Sequence, residues 1–119
     1  MKKYQKLVVW KQAMELALSV YKSTQRFPDE EKFGLISQMR RASVSIASNI
    51  AEGAGRGSDR DFVCFLIIAR GSLNELETQV LLAIQLGFLQ PQADLEDKIE
   101  HVFAMLSNLI NKLQDRSVA

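Results

Sequence analysis

The chain lacks most of what covalent or metal chemistry would use. Its 119 residues include one cysteine, Cys64, and one histidine, His101. A lone cysteine closes no disulfide within the chain, and Cys64 sits in the apolar run from Phe62 to Ala69, where a small buried hydrophobe is its expected role. Nothing in that setting would activate its thiol. A Ser-His-acid or Cys-His arrangement would have to recruit His101 from far along the sequence. A di-metal centre needs inward-facing Glu-x-x-His pairs. The residue three before His101 is Lys98, and Asp97, four before it, makes only a single pair. Catalytic residues, cofactors and metals are therefore not expected.

Long apolar runs are missing too. Phe62 to Ala69 is the longest, well short of the roughly 20 residues a membrane span needs. Leu7 to Trp10, behind the basic start, is too short for a signal core. A soluble cytoplasmic chain without membrane contact is the expectation. Only two prolines, Pro28 and Pro91, interrupt the sequence, so long helices are free to form.

The charge balance is nearly neutral, at +1, but uneven. Residues 1–60 carry 11 Lys/Arg against 6 Asp/Glu, a net +5, whereas residues 61–119 carry 4 against 8, a net −4. Such halves suit either a nucleic-acid face or mutual attraction between neighbouring helices or subunits, and the second weighs more.

What is present is helical periodicity. Four helices are expected, over about 8–26, 31–54, 58–86 and 92–114, with no competing strand pattern. In the first, Trp10, Ala13, Met14, Ala17, Val20 and Tyr21 make one apolar face. It stops before Pro28, and the acids Asp29, Glu30 and Glu31 favour the positive start of the next helix. The second helix has a core row of Leu35, Met39, Ala42, Ile46 and Ile50, and its small residues from Ala42 to Ala51 invite close packing. Gly53, Gly55 and Gly57 are expected to end it. Ser58 reads as the N-cap of the third helix, whose inner stripe is Phe62, Phe65, Ala69, Leu73, Leu76, Val80, Ala83 and Ile84. Val63, Ile67 and Leu81 widen its apolar surface, and Gly87 ends it. The fourth helix has the cleanest period, through Leu95, Ile99, Val102, Phe103, Leu106, Leu109, Ile110 and Leu113. Short connections make neighbours antiparallel, so the expected architecture is an all-α, up-down-up-down four-helix bundle in a single domain, residues 1–119.

The turn Gly53-Ala54-Gly55-Arg56-Gly57-Ser58 superficially suggests a phosphate cradle. Phosphate-binding motifs of that kind follow a strand, however, and this turn follows a helix and is trailed by Asp59 and Asp61. Two sets of polar residues remain. Arg40, Arg41, Arg56 and Arg60 are the candidates for contact with a phosphate backbone. Asn49, Glu52, Arg70, Glu75 and Glu77 are the candidates for a structural polar network that fixes register or a subunit contact, with Arg41 or Asn49 as partners for the third helix.

Four stretches carry a resemblance: Leu7-Val8-Val9-Trp10-Lys11, Ile36 to Ala42, Ser45 to Gly53 with its SNIAEG core, and Ala69 to Thr78 with GSLNELET. Over about residues 7–113 the chain resembles the bacterial four-helix-bundle family found in intervening sequences of 23S ribosomal RNA genes. The family often has proline where Ala47 stands and lysine where Arg70 stands; Ala47 should leave the second helix straighter. The resemblance implies a homo-oligomer, a pentameric ring. It also implies contact with RNA or DNA, or with a nucleic-acid-handling protein, since a similar protein partners the reverse transcriptase of diversity-generating retroelements. That relative is strongly basic, unlike this chain. The expected function is a non-enzymatic assembly and binding module; the alternative is a protein–protein scaffold that never meets nucleic acid.

Overall fold

The computed structural model describes residues 1–91 and 93–118. It contains four long helices: α1 (Val8–Thr24), α2 (Leu35–Ala54), α3 (Asp59–Gln85) and α4 (Ala93–Val118). Single 3-10 turns at Lys3–Lys6 and Asp29–Glu31 precede α1 and α2. Among the described residues there are no strands.

Side-chain contacts fix the topology. Ser45 meets Ser72, and Gly53 lies against Phe65, so α2 and α3 are antiparallel. Arg70 meets Ser107 while Asp59 meets Arg116, which makes α3 and α4 antiparallel. Arg40 reaches Thr24, and Ala51 shares a groove with Trp10, reversing α2 on α1. Lys98 reaches Ser19, and Leu7 shares a cleft with Leu113, reversing α4 on α1. Each helix packs on two neighbours, and the diagonal pairs stay apart. The result is an up-down-up-down bundle about 50 Å long and 23 by 20 Å across.

Local chemistry sets the boundaries. α2 begins at Leu35, later than the expected Glu31, because Asp29–Glu31 close a separate 3-10 turn and Gly34 holds the cap position. Glu31 still serves the helix, its Oε1 accepting from the Leu35 N–H at 3.1 Å. Ser58 caps α3 by accepting from the Asp61 N–H at 3.1 Å. Gly57 (φ +88°) and Gly87 (φ +81°) adopt left-handed angles after α2 and α3. Gly53 instead lies inside α2, buried and helical, so it is a packing residue and not a terminator. α2 runs unbroken through Ala47. Gln92, where the fourth helix was expected to begin, lies outside the described residues, and α4 continues past Gln114 to Val118.

The core follows the expected rows in α2, and in α4 through Leu95, Ile99, Val102, Leu106, Ile110 and Leu113. Phe103 is exposed. α1 is rotated from the expected face. Val9, Ala13, Leu16, Val20 and Thr24 are buried, whereas Met14 and Tyr21 are exposed. α3 buries Ala69, Leu73, Leu76, Val80 and Ala83 of the expected stripe and adds Leu66 and Gln79, while Phe62, Phe65 and Ile84 are only partly buried. Cys64 precedes Leu66 by two positions, about 200° around the helix, and is exposed, not buried.

Candidate nucleic-acid interface

The four arginines expected at a phosphate backbone fall in two places. Arg40 and Arg41 lie in the first half of α2, while Arg56 and Arg60 flank the α2–α3 turn, roughly 22 Å further along at ~1.5 Å per residue. Arg40 is half-buried and engaged within the chain. Its Nε donates to Thr24 Oγ1 at 2.9 Å, its Nη2 to the Tyr21 carbonyl at 3.4 Å, and its guanidinium stands 4.6 Å from the Tyr21 ring centre. Arg56 pairs with Glu52 at 2.9 Å and lies 4.8 Å from the centre of the Phe65 ring. Arg41 and Arg60 are exposed, without an ion pair or hydrogen bond among the described residues.

The five residues expected to form a polar network are distributed over separate contacts. Asn49 Nδ2 donates to the Ser45 carbonyl at 2.8 Å and lies 3.0 Å from Ser45 Oγ, which is 2.9 Å from Ser72 Oγ on α3. Small hydroxyls at this crossing let α2 and α3 approach closely. Arg70 turns to α4, where its Nη1 donates to Ser107 Oγ at 3.2 Å. Glu75 accepts from Gln79 Nε2 at 3.2 Å within α3, and Glu52 binds Arg56 within α2. Glu77 is half-buried and makes no such bond among the described residues.

One group of cations is assembled by the fold and not by the sequence order. α1 and α3 begin, and α2 and α4 end, at the same pole of the bundle. An open cleft of about 430 Å³ there is lined by Lys2, Lys3, Tyr4, Ala51, Glu52, Ala54, Gly55 and Arg56. A second, of about 320 Å³, is lined by Lys3, Gly57, Ser58, Lys112 and Arg116 among others. Arg116 grips Asp59 with two edges, Nε to Oδ2 at 3.1 Å and Nη2 to Oδ1 at 2.8 Å, tying the end of α4 to the start of α3. The far pole gathers the acids Asp29, Glu30, Glu31, Asp94, Glu96 and Asp97 with fewer cations, so the folded bundle has an axial charge asymmetry distinct from that between the two halves of the sequence.

His101 is exposed on α4, and among the described residues no three His, Cys, Asp or Glu side chains are placed to hold a metal ion. No described helix is long and apolar enough to cross a membrane.

An antiparallel four-helix bundle of this form belongs to the class of helical-bundle proteins. More narrowly, the 23S rRNA-intervening sequence protein family matches residues 5–108, and the chain belongs to that family. The fold is similar to a protein of unknown function from the S23 ribosomal protein family of Bacteroides thetaiotaomicron, whose crystal structure is known at 1.70 Å resolution. The two share 25% identity and a TM-score of 0.80, covering 87% of this chain and 96% of the other. No curated protein matches the chain.

Proposed function

We propose that the protein is a non-enzymatic assembly and binding module of the cytoplasm, which forms a homo-oligomer and contacts nucleic acid or a nucleic-acid-handling protein. The observation that carries the assembly is the outer surface of α3. Ile67 and Ile68 towards one end and Leu81, Leu82 and Leu86 towards the other are each between 44% and 52% exposed there, two apolar patches separated by Asn74, Glu75 and Thr78 that a second copy of the chain would cover. A complementary feature lies on the opposite side of α2: an apolar groove between α1 and α2, lined by Trp10, Met14, Ala17, Val44, Ala47 and Ala51. A face and a groove at different places on one chain favour head-to-tail contacts, which form rings where the rotation between copies closes. That agrees with the pentamer the family resemblance implies.

Light scattering at micromolar concentration tests the assembly. The expected mass is a multiple of the 13.4 kDa chain. Ile68→Glu with Leu82→Glu should return the protein to monomer without loss of helix, because both side chains are exposed within one chain. Monomer alone in the unaltered protein would overturn the proposal.

The nucleic-acid part draws on Arg41 and Arg60, with Arg56 and Arg40 at partial strength because of their contacts within the chain. Those same contacts favour the second reading, a protein scaffold with no nucleic-acid contact. Binding to RNA and to duplex DNA at low salt separates the two: no binding leaves the scaffold.

A further inference from the structure

We infer that the basic pole of the bundle binds a nucleic-acid phosphate backbone along a track formed by Lys2, Lys3, Arg56, Lys112 and Arg116. The inference rests on the proposed nucleic-acid reading and gives it a different principal site from the four arginines. The two clefts have largely apolar walls rimmed by cations, and they share Lys3, which joins the rims into one path across the end of the bundle. Lys2, Lys3 and Lys112 are exposed and make no side-chain ion pair among the described residues, so their charge is available. The two arginines are held in place by carboxylates but keep free donors. Arg56 commits Nη2 to Glu52, and Arg116 commits Nε and Nη2 to Asp59, leaving an Nη1 on each.

The form of the site matches an extended polyanion. The floor of the first cleft is Ala51, Ala54 and Gly55, low enough for a chain of phosphates to lie between the cations. Both clefts are open, and no buried cation waits in either to enclose a single phosphate. Three of the five cations are lysines, whose flexible point charges follow a backbone without reading its sequence. The acids that line the clefts, Glu52 and Asp59, are paired with Arg56 and Arg116, while Asp61 and Asp115 line neither cleft.

The test is a salt titration of binding to duplex RNA and duplex DNA of the same sequence. The triple variant Lys2→Gln, Lys3→Gln, Lys112→Gln is compared with Lys22→Gln, Arg26→Gln, Lys32→Gln, which removes equal charge from the far pole. Circular dichroism confirms that both variants keep their helices. Three lost phosphate contacts should flatten the slope of log affinity against log salt by about 2.7 for each chain engaged on B-DNA, and by a similar amount on RNA. Between 50 and 200 mM salt that is a loss of affinity smaller by roughly 40-fold than in the unaltered protein. The far-pole variant should keep the original slope. Flattening specific to the basic-pole variant on either duplex supports the track, and the tighter duplex identifies the partner. If the unaltered protein binds and the basic-pole variant keeps its slope, or both variants flatten equally, the track is overturned while the nucleic-acid reading stands. If the unaltered protein binds neither duplex at 50 mM, both fall.

Discussion

A Cβ placed on Gly53 would stand 2.6 Å from the Cβ of Phe65, and 3.0 Å from Cδ1 of Phe62. The last turns of α2 can therefore lie on the first turns of α3 only because position 53 has no side chain. The obstacle at 65 is a Cβ fixed to its backbone, which cannot swing aside. Gly53→Ala gains about 1 kcal/mol of helix propensity but loses about 1–3 kcal/mol to overpacking. The contact is tight enough for the loss to win. We expect the urea midpoint to fall, with a net cost of up to about 2 kcal/mol. A midpoint equal to or above that of the unaltered protein would show that the helices separate without cost.

Gln79 gives the opposite expectation. It is buried in α3 at 6% exposure, its Nε2 donates to Glu75, and its Oε1 has no partner. A buried acceptor without a donor costs about 1–3 kcal/mol, while the bond to Glu75 contributes about 1 kcal/mol. Methionine has nearly the same length and no acceptor to satisfy. Gln79→Met should raise stability by about 1 kcal/mol in urea unfolding. A fall would mean that Oε1 is satisfied by water or by another chain.

Cys64 reports on the α3 face. It is exposed and lies one helical turn before Ile68 on the same flank as Leu82. In the monomeric Ile68→Glu, Leu82→Glu variant the thiol should react with a thiol reagent at close to the rate seen in urea. In the assembled protein it should react at least several-fold more slowly. Equal rates in both would place the subunit contact elsewhere.

These contrasts explain how much was legible in the sequence. The α2 row from Leu35 to Ile50 and most of the α4 row were readable because polar residues clearly separate their inner and outer faces. α1 and α3 carry apolar residues nearly all round, with Val8, Leu18, Ile67, Ile68, Leu81 and Leu82 exposed. Periodicity then fits more than one face, so Leu16 and Leu66 were missed as core residues and Cys64 was assigned to the interior. Gly53 had the sequence signature of a helix stop, because nothing in the local sequence reveals a neighbouring helix. The basic track unites residues from both ends of the chain, and charge counting along the sequence split Lys2 and Lys3 from Lys112 and Arg116. The up-down-up-down topology already places them at one pole, so the missing step was to sort charges by helix end.

Arg40 shows how one arginine can be claimed by two roles. Thr24, buried at the end of α1, donates its hydroxyl to the Val20 carbonyl at 2.9 Å and accepts from Arg40 Nε at 2.9 Å. This bond and the Tyr21 ring clamp α2 to α1. Thr24→Val keeps the shape and removes the acceptor, leaving a partly buried charged donor unpaired, at a cost of about 1.5–3 kcal/mol. Arg40→Met keeps the stem and removes the donor, at about 1 kcal/mol. The double variant should cost less than the two single costs together, with a coupling of about 1 kcal/mol or more, because either change breaks the same bond. Strict additivity in urea unfolding would free Arg40 from this clamp. A clamped guanidinium also meets fewer phosphates, so Arg40→Met should change the salt slope of duplex binding by well under the ~0.9 of a full backbone contact. A change as large as that would return Arg40 to the nucleic-acid interface.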